Sequence, residues 1–274
     1  MNNSMISAMV SMNSIQKRLD VLADNIANVG TNGYKRKEAS FEDTLTRVQQ
    51  QPDGLRKTGR STPMGFNLGF GARLSNVTYN FSQGPIKQTN KPTDLAIEGN
   101  AMFAVQADGV QAYTRDGNFH ISPDPLNPKI GYLTTSQGYF VQGTDNQPIT
   151  VPTNGSLQID ASGKISSVVG STITPVAQLK LVTPRRPEGL VEKDNNLYTL
   201  LPGANANDVL GNANALLPGD PNRSTLRQGA LEESNVDLTQ EMTDMLQVQR
   251  AYQLSARALS SSETMMGMAN HLRG

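Results

Sequence analysis

Catalysis needs convergent nucleophiles, bases or ligands, and this chain offers few: two histidines, His120 and His271, and no cysteine. The absence of thiols excludes disulfides, thiolate metal sites and cysteine nucleophiles, and leaves the redox compartment open. His120 falls on an expected strand beside a proline-rich loop, and His271 in the last turn of an expected helix, where a cation suits the helix dipole. Both read as structural. Asp108, Asp116, Asp124 and Asp145 could serve as paired carboxylates for glycoside cleavage. Each lies, however, in a turn, where Asp is expected because its side chain bonds nearby backbone. The glycines between Gly65 and Gly71 suggest a phosphate cradle, but no Gly-Lys-Ser/Thr follows and no strand-to-helix context surrounds them. The expectation is therefore no catalytic site, no cofactor and no metal. The rival readings are a β-rich enzyme such as a cell-wall hydrolase with helical docking arms, and a phage-tail or surface-fibre protein, which would close into a trimer.

If no chemistry is to be positioned, the elements themselves must carry the function. With 24 Lys+Arg against 24 Asp+Glu there is no global electrostatic drive toward nucleic acid or anionic membrane, so a partner must be held by shape and apolar contact. No apolar run approaches the ~20 residues needed to span a bilayer. Residues Met1 to Met12 lack a basic segment leading into an apolar one, so no cleaved signal is expected. Hydrophobic content of 36% with 5% aromatics and no Trp is low for a rigid single core. Part of the chain is then expected to find its core only in an assembly.

Met5, Met9, Met12, Ile15, Leu19, Leu22 and Ile26 step by threes and fours, which predicts a one-sided amphipathic helix of ~26 residues, ~39 Å long, ending at Gly30-Thr31-Asn32-Gly33. At the other end Met245, Tyr252, Leu259 and Met266 lie seven apart, with Leu238, Met242, Val248 and Ala256 at neighbouring seam positions. Asn235 or Asp237 caps that helix and Glu241 sits in its first turn. Between the helices, short period-two runs such as Leu95 to Ile97, Met102 to Val105 and Leu157 to Ile159 are separated by Asp108-Gly109, Asp116-Gly117, Gln137-Gly138, Asp145-Asn146 and Ser162-Gly163. That pattern predicts an antiparallel sandwich or barrel-like β domain. The expected organisation is a helix over 1–34, an extended linker over 35–75, a β-rich domain over 76–230 with a loop or insertion near 202–221, and a helix over 231–274.

Two long amphipathic helices bracketing a β body leave apolar stripes that need each other or neighbours. Methionine is dense in them, and its flexible thioether suits uneven helix contacts. The helices are expected to pair as a coiled coil, and copies stacked by a screw operation would bury the remaining faces in a helical filament or tube.

Asp24-Asn25-Ile26-Ala27-Asn28-Val29 with Gly33-Tyr34-Lys35, and at the far end Glu232, Ser234-Asn235-Val236-Asp237-Leu238 with Gln249-Arg250-Ala251-Tyr252, resemble the two terminal signatures of the flagellar rod and hook axial proteins. Lys91-Pro92-Thr93-Asp94 through Phe103, and Tyr113-Thr114-Arg115-Asp116-Gly117-Asn118-Phe119, are similar to the rod-protein β domain, so the resemblance covers nearly the whole chain. It implies a structural subunit of the bacterial flagellar basal-body rod, most like distal members, with proximal rod or hook-type proteins as alternatives. Its terminal helices would line the inner tube, its partners would be itself and other rod and hook subunits, and it would leave the cytoplasm through the flagellar type III export apparatus. The assembly interface expected from spacing and resemblance together comprises Met12, Leu19, Leu22, Asn25, Ile26, Asn28, Met245, Arg250, Tyr252, Leu259 and Met266. By the resemblance, Asn25 and Asn28 would pack a helix end, Gly33 would permit the turn into the linker, and Arg250 would meet acids or carbonyls.

Overall fold

The computed structural model describes residues 2–43, 47–50, 65–68, 72–153, 155–169, 172–193, 196–215 and 224–271. The chain is mainly β with a long helix at either end, and it divides into two units. One comprises 1–27, 37–78 and 237–274; the other comprises 28–36 and 79–236.

In the first unit, helix α1 spans Asn2–Ala27 and is 26 residues long, as the three-and-four spacing predicts. Helix α3, Leu238–His271, runs 34 residues; helix α2 is the short turn Ala206–Val209 of the other unit. Asp237 is the N-cap of α3: its Oδ1 accepts from Thr239 N at 2.9 Å and Gln240 N at 3.3 Å, which satisfies two of the amides a helix start leaves unpaired. Helices α1 and α3 pack against each other. The stretch 35–75, expected as an extended linker, contributes to two ladders, Lys37–Asp43 with Ala72–Tyr79 and Arg47–Gln50 with Gly65–Leu68. Residues 51–64 and 69–71, including part of the glycine-rich run, lie outside the described residues.

In the second unit, every described strand pair is antiparallel. The main sheet runs Thr150–Pro152, Ile130–Thr135, Phe140–Val141, Met102–Ala107, Val110–Thr114, Leu197–Leu200, Leu190–Lys193, and it does not close, so the barrel-like alternative is corrected. Leu181–Pro184 pairs with Met102–Ala107 and carries Leu210–Asn212 beside it. Ser156–Ile159, Lys164–Val169 and Thr172–Gln178 form a separate three-stranded sheet. Alternation sorts the central strand between two cores: Phe103 and Val105 join Leu95, Phe119, Leu133 and Ile165 on one face, while Met102 and Ala104 join Tyr113, Val182 and Tyr198 on the other. The Asp108-Gly109 hairpin turn has both residues at positive φ, 52° and 78°, the geometry that matches strand twist in a two-residue loop.

The stretch near 202–221, expected as a loop or insertion, has regular structure in part. Ala206–Val209 is helical, Leu210–Asn212 joins the main sheet, and Val209, Leu210 and Ala213 are buried; residues 216–223 lie outside the described residues. Asparagine- and glycine-rich composition does not prevent two apolar residues in a row from completing a core face.

Candidate assembly interface

The end helices pack against each other, and burial along them follows much of the expected stripe. On α1, Leu22 is buried and Met5, Met12, Ile15, Leu19 and Ile26 are half-buried; on α3, Val248 is buried and Met245, Tyr252, Leu259 and Met266 are half-buried. The seven-residue step therefore marks the covered stripe of α3. Leu238 and Met242, expected near that seam, are instead exposed, as are Met9 and Arg250.

A polar contact between the two helices interrupts the apolar stripe. Asn25 is 1% exposed and Glu241 0% exposed. Asn25 Nδ2 donates to Glu241 Oε2 at 3.1 Å and to Lys37 O at 3.0 Å, while its Oδ1 accepts from Lys37 N at 2.9 Å. The side-chain amide thus pairs with the Lys37 backbone as a neighbouring strand would. Nearby, Lys37 Nζ donates to Asp24 at 3.0 Å, and the Arg18 guanidinium lies 5.8 Å from the Phe41 ring centroid.

Asn28 lies just past the end of α1. It belongs to the second unit, where its Oδ1 accepts from Thr31 Oγ1 at 3.1 Å and its carbonyl from Thr31 N at 3.1 Å, an arrangement that ends the helical path locally.

Within the second unit, residues 28–36 plug into the β body. Gly33 adopts φ 69° and donates its amide to Glu232 O at 2.8 Å; a Cβ there would lie 2.5 Å from the Arg115 carbonyl carbon. Tyr34 and Lys35 follow, both buried. Lys35 Nζ donates to Glu232 Oε1 and to Ser82 O, each at 2.7 Å, and Gly84 N donates to the same Oε1 at 2.9 Å. Arg115 Nη1 stands 3.2 Å from Glu232 Oε2, and its Nη2 donates to Gly99 O. Asn235 completes the junction by accepting from Arg36 N at 2.8 Å and donating to Asn80 O at 2.8 Å.

Two cations thus share one carboxylate in a site where every side chain is 1% exposed. Burial, and then the Arg115 charge, push the Lys35 ammonium down to about 8, with Glu232 opposing. Burial likewise lowers Arg115, opposed by Glu232. Lys35, Arg115 and Glu232 each stand inside one of the motifs that carry the family resemblance, but no local pattern in the sequence joins the three.

Two terminal helices that pack against each other in one unit, and a β body braced by its own buried ion pairs in the other, with no convergent catalytic groups named in either, define a structural protein. Comparison with known proteins gives the particular class. Residues 5–35 match the family described as "Flagella basal body rod protein", 96–167 the "Flagellar hook protein FlgE/F/G D1 domain", and 227–272 the "Flagellar basal body rod FlgEFG protein C-terminal". The chain is 34% identical over 263 residues to flagellar basal-body rod protein FlgG of Buchnera aphidicola subsp. Baizongia pistaciae, spanning 94% of this chain and 95% of that one. It is 32% identical over 276 residues to FlgG of Borreliella burgdorferi, spanning 100% and 99%. It is 30% identical over 278 residues to the flagellar hook-basal body complex protein FlhP of Bacillus subtilis, spanning 100% of both. The chain belongs to the flagellar basal-body rod protein family. It is a structural subunit of the rod, located in the basal body of the flagellum alongside other rod and hook subunits.

Proposed function

We propose that this rod subunit occupies the distal rod and polymerises with copies of itself through its terminal helices into the tubular drive shaft. In this reading α1 and α3 pair as a coiled coil, Met12, Leu19, Leu22, Ile26, Met245, Tyr252, Leu259 and Met266 form the seam inside each subunit, and neighbours bury the faces left over. The distal position is supported by the relatives named FlgG, a distal rod protein. Export by the flagellar type III apparatus without a cleaved signal follows from the same reading, as does a role without catalysis, cofactor or nucleic acid.

The observation that carries it is a second set of apolar side chains outside the seam. Leu246, Leu254, Met265 and Met268 are 58%, 65%, 50% and 56% exposed on α3, and Ile6 and Met9 are 45% and 51% exposed on α1. Six such side chains on two helices ask for a neighbouring surface, since helix faces of this kind are stable only when covered. Arg250, exposed on α3, is placed to meet acids or carbonyls of that neighbour.

Leu254→Asp tests the reading more cleanly than a seam substitution. It places a charge where a neighbour must exclude water and leaves the monomer's own contacts in place, whereas Leu22→Asp would bury a charge inside the subunit. Electron microscopy at rising concentration should show filaments for the native chain and none for Leu254→Asp, with unchanged circular dichroism. Filaments formed equally by both would sink the proposal.

A further inference from the structure

We infer that the Asn25–Glu241 contact is the pin that sets the axial register of α1 against α3, and so positions every other assembly residue on the two helices. The inference rests on the helix-pair reading of assembly given above.

The other seam positions named above carry Met, Leu, Ile, Val and Tyr, side chains that are interchangeable to within a modest packing cost when one helix slides by a heptad, and the buried Ser14 bonds to Ser11 O on its own helix at 3.3 Å. Such a slide, about 10 Å at 1.5 Å per residue, would exchange one apolar contact for another. The pair cannot be exchanged. Asn25 and Glu241 are 216 positions apart in the chain, both are closed to solvent, and their bond is 3.1 Å. In a slipped register the carboxylate faces apolar side chains and loses the amide, the situation in which a polar residue at one seam position selects a single alignment.

Two further observations make Asn25 more than a local contact. Its remaining donor and its acceptor both go to the Lys37 backbone, so the amide ties the helix register to the first residue of the Lys37–Asp43 strand. Glu241 sits in the first turn of α3, one turn beyond the Asp237 cap, and its amide donates to Asp237 O at 3.0 Å. The pin therefore engages α3 where its start is already fixed, and the register is set from the capped end.

The chain has no native cysteine, so spin labels on Gln16→Cys and Gln253→Cys, both exposed, report the distance between the helices without background. The measurement is pulsed dipolar spectroscopy on dilute monomer, which makes it independent of whether copies assemble; Leu254→Asp filaments would sink the assembly reading alone. The native pair should give one narrow distance. Asn25→Leu with Glu241→Leu should retain helix content yet raise the population outside the native peak at least about tenfold, the discrimination a buried unpaired polar group provides. Glu241→Gln keeps an acceptor for Asn25 Nδ2 and should restore the narrow peak. Should the double-leucine chain lose its helix signal, Asn25→Asp makes the same comparison, since it keeps the shape and removes both donors. A double-leucine or Asn25→Asp chain with the native distance distribution would overturn the proposal, as would a native chain without a single distance or a Glu241→Gln chain as heterogeneous as the double-leucine one.

Discussion

The buried cluster in the β body makes a prediction about rank order. Lys35 and Arg115 together bring two positive charges to the single negative charge of Glu232, at 2.7 and 3.2 Å. Removing the carboxylate charge by Glu232→Gln leaves both cations facing each other without solvent, and breaking a buried pair in this way costs about 3–5 kcal/mol. Lys35→Met leaves one cation against one anion. It forfeits the bonds to Glu232 and Ser82, but removes the penalty recorded in the Lys35 shift from 10.5 to about 8, which is on the order of 3 kcal/mol at neutral pH. The two terms offset to within about 1–2 kcal/mol, so Glu232→Gln should be clearly the more damaging. The pH dependence has a definite sign. The folded pKa lies below the unfolded one, so between about 8 and 10.5 the unfolded chain holds the proton the folded chain has released, and stability rises with pH across that window. Below pH 8 the penalty is fully present, and it is relieved as pH rises. Urea unfolding of the monomer at pH 7 and at pH 10 measures both effects. The native chain should gain on Lys35→Met by up to ~3 kcal/mol at the higher pH. Equal losses for the two variants at pH 7, or parallel pH profiles for native and Lys35→Met, would refute the reasoning.

Two other substitutions probe local geometry. A Cβ on Gly117 would lie 1.7 Å from Leu95 O, whereas one on Gly109 meets nothing within 4 Å although φ is 78°. Gly117→Ala should therefore cost about 3 kcal/mol or more and Gly109→Ala only about 1 kcal/mol, read from thermal unfolding of the β body. Asp237→Ala removes the α3 cap and should cost about 1 kcal/mol, visible as faster amide exchange at Thr239 and Gln240; unchanged exchange there would show the cap to be energetically silent.

The elements readable in the sequence are those whose signal is local. Seven-residue spacing from Met245 to Met266 marks one face of a helix because the backbone period is fixed, and Asp237 caps because a short acceptor can reach only amides two or three residues ahead. Asp108-Gly109 turns because glycine tolerates positive φ. What remained hidden involves partners far apart along the chain. Leu210–Asn212 became a strand because Leu181–Pro184 offered it an unpaired edge, and the strands within 35–75 pair for the same reason: a strand is stabilised by a neighbour that its own residues do not specify. Asn25 with Glu241, and Lys35 with Glu232 at 197 positions of separation, are further cases. A sequence shows that each of these side chains is polar; only the folded chain removes water from around both and leaves each the other's partner, because desolvation is a property of the whole packing and not of a residue.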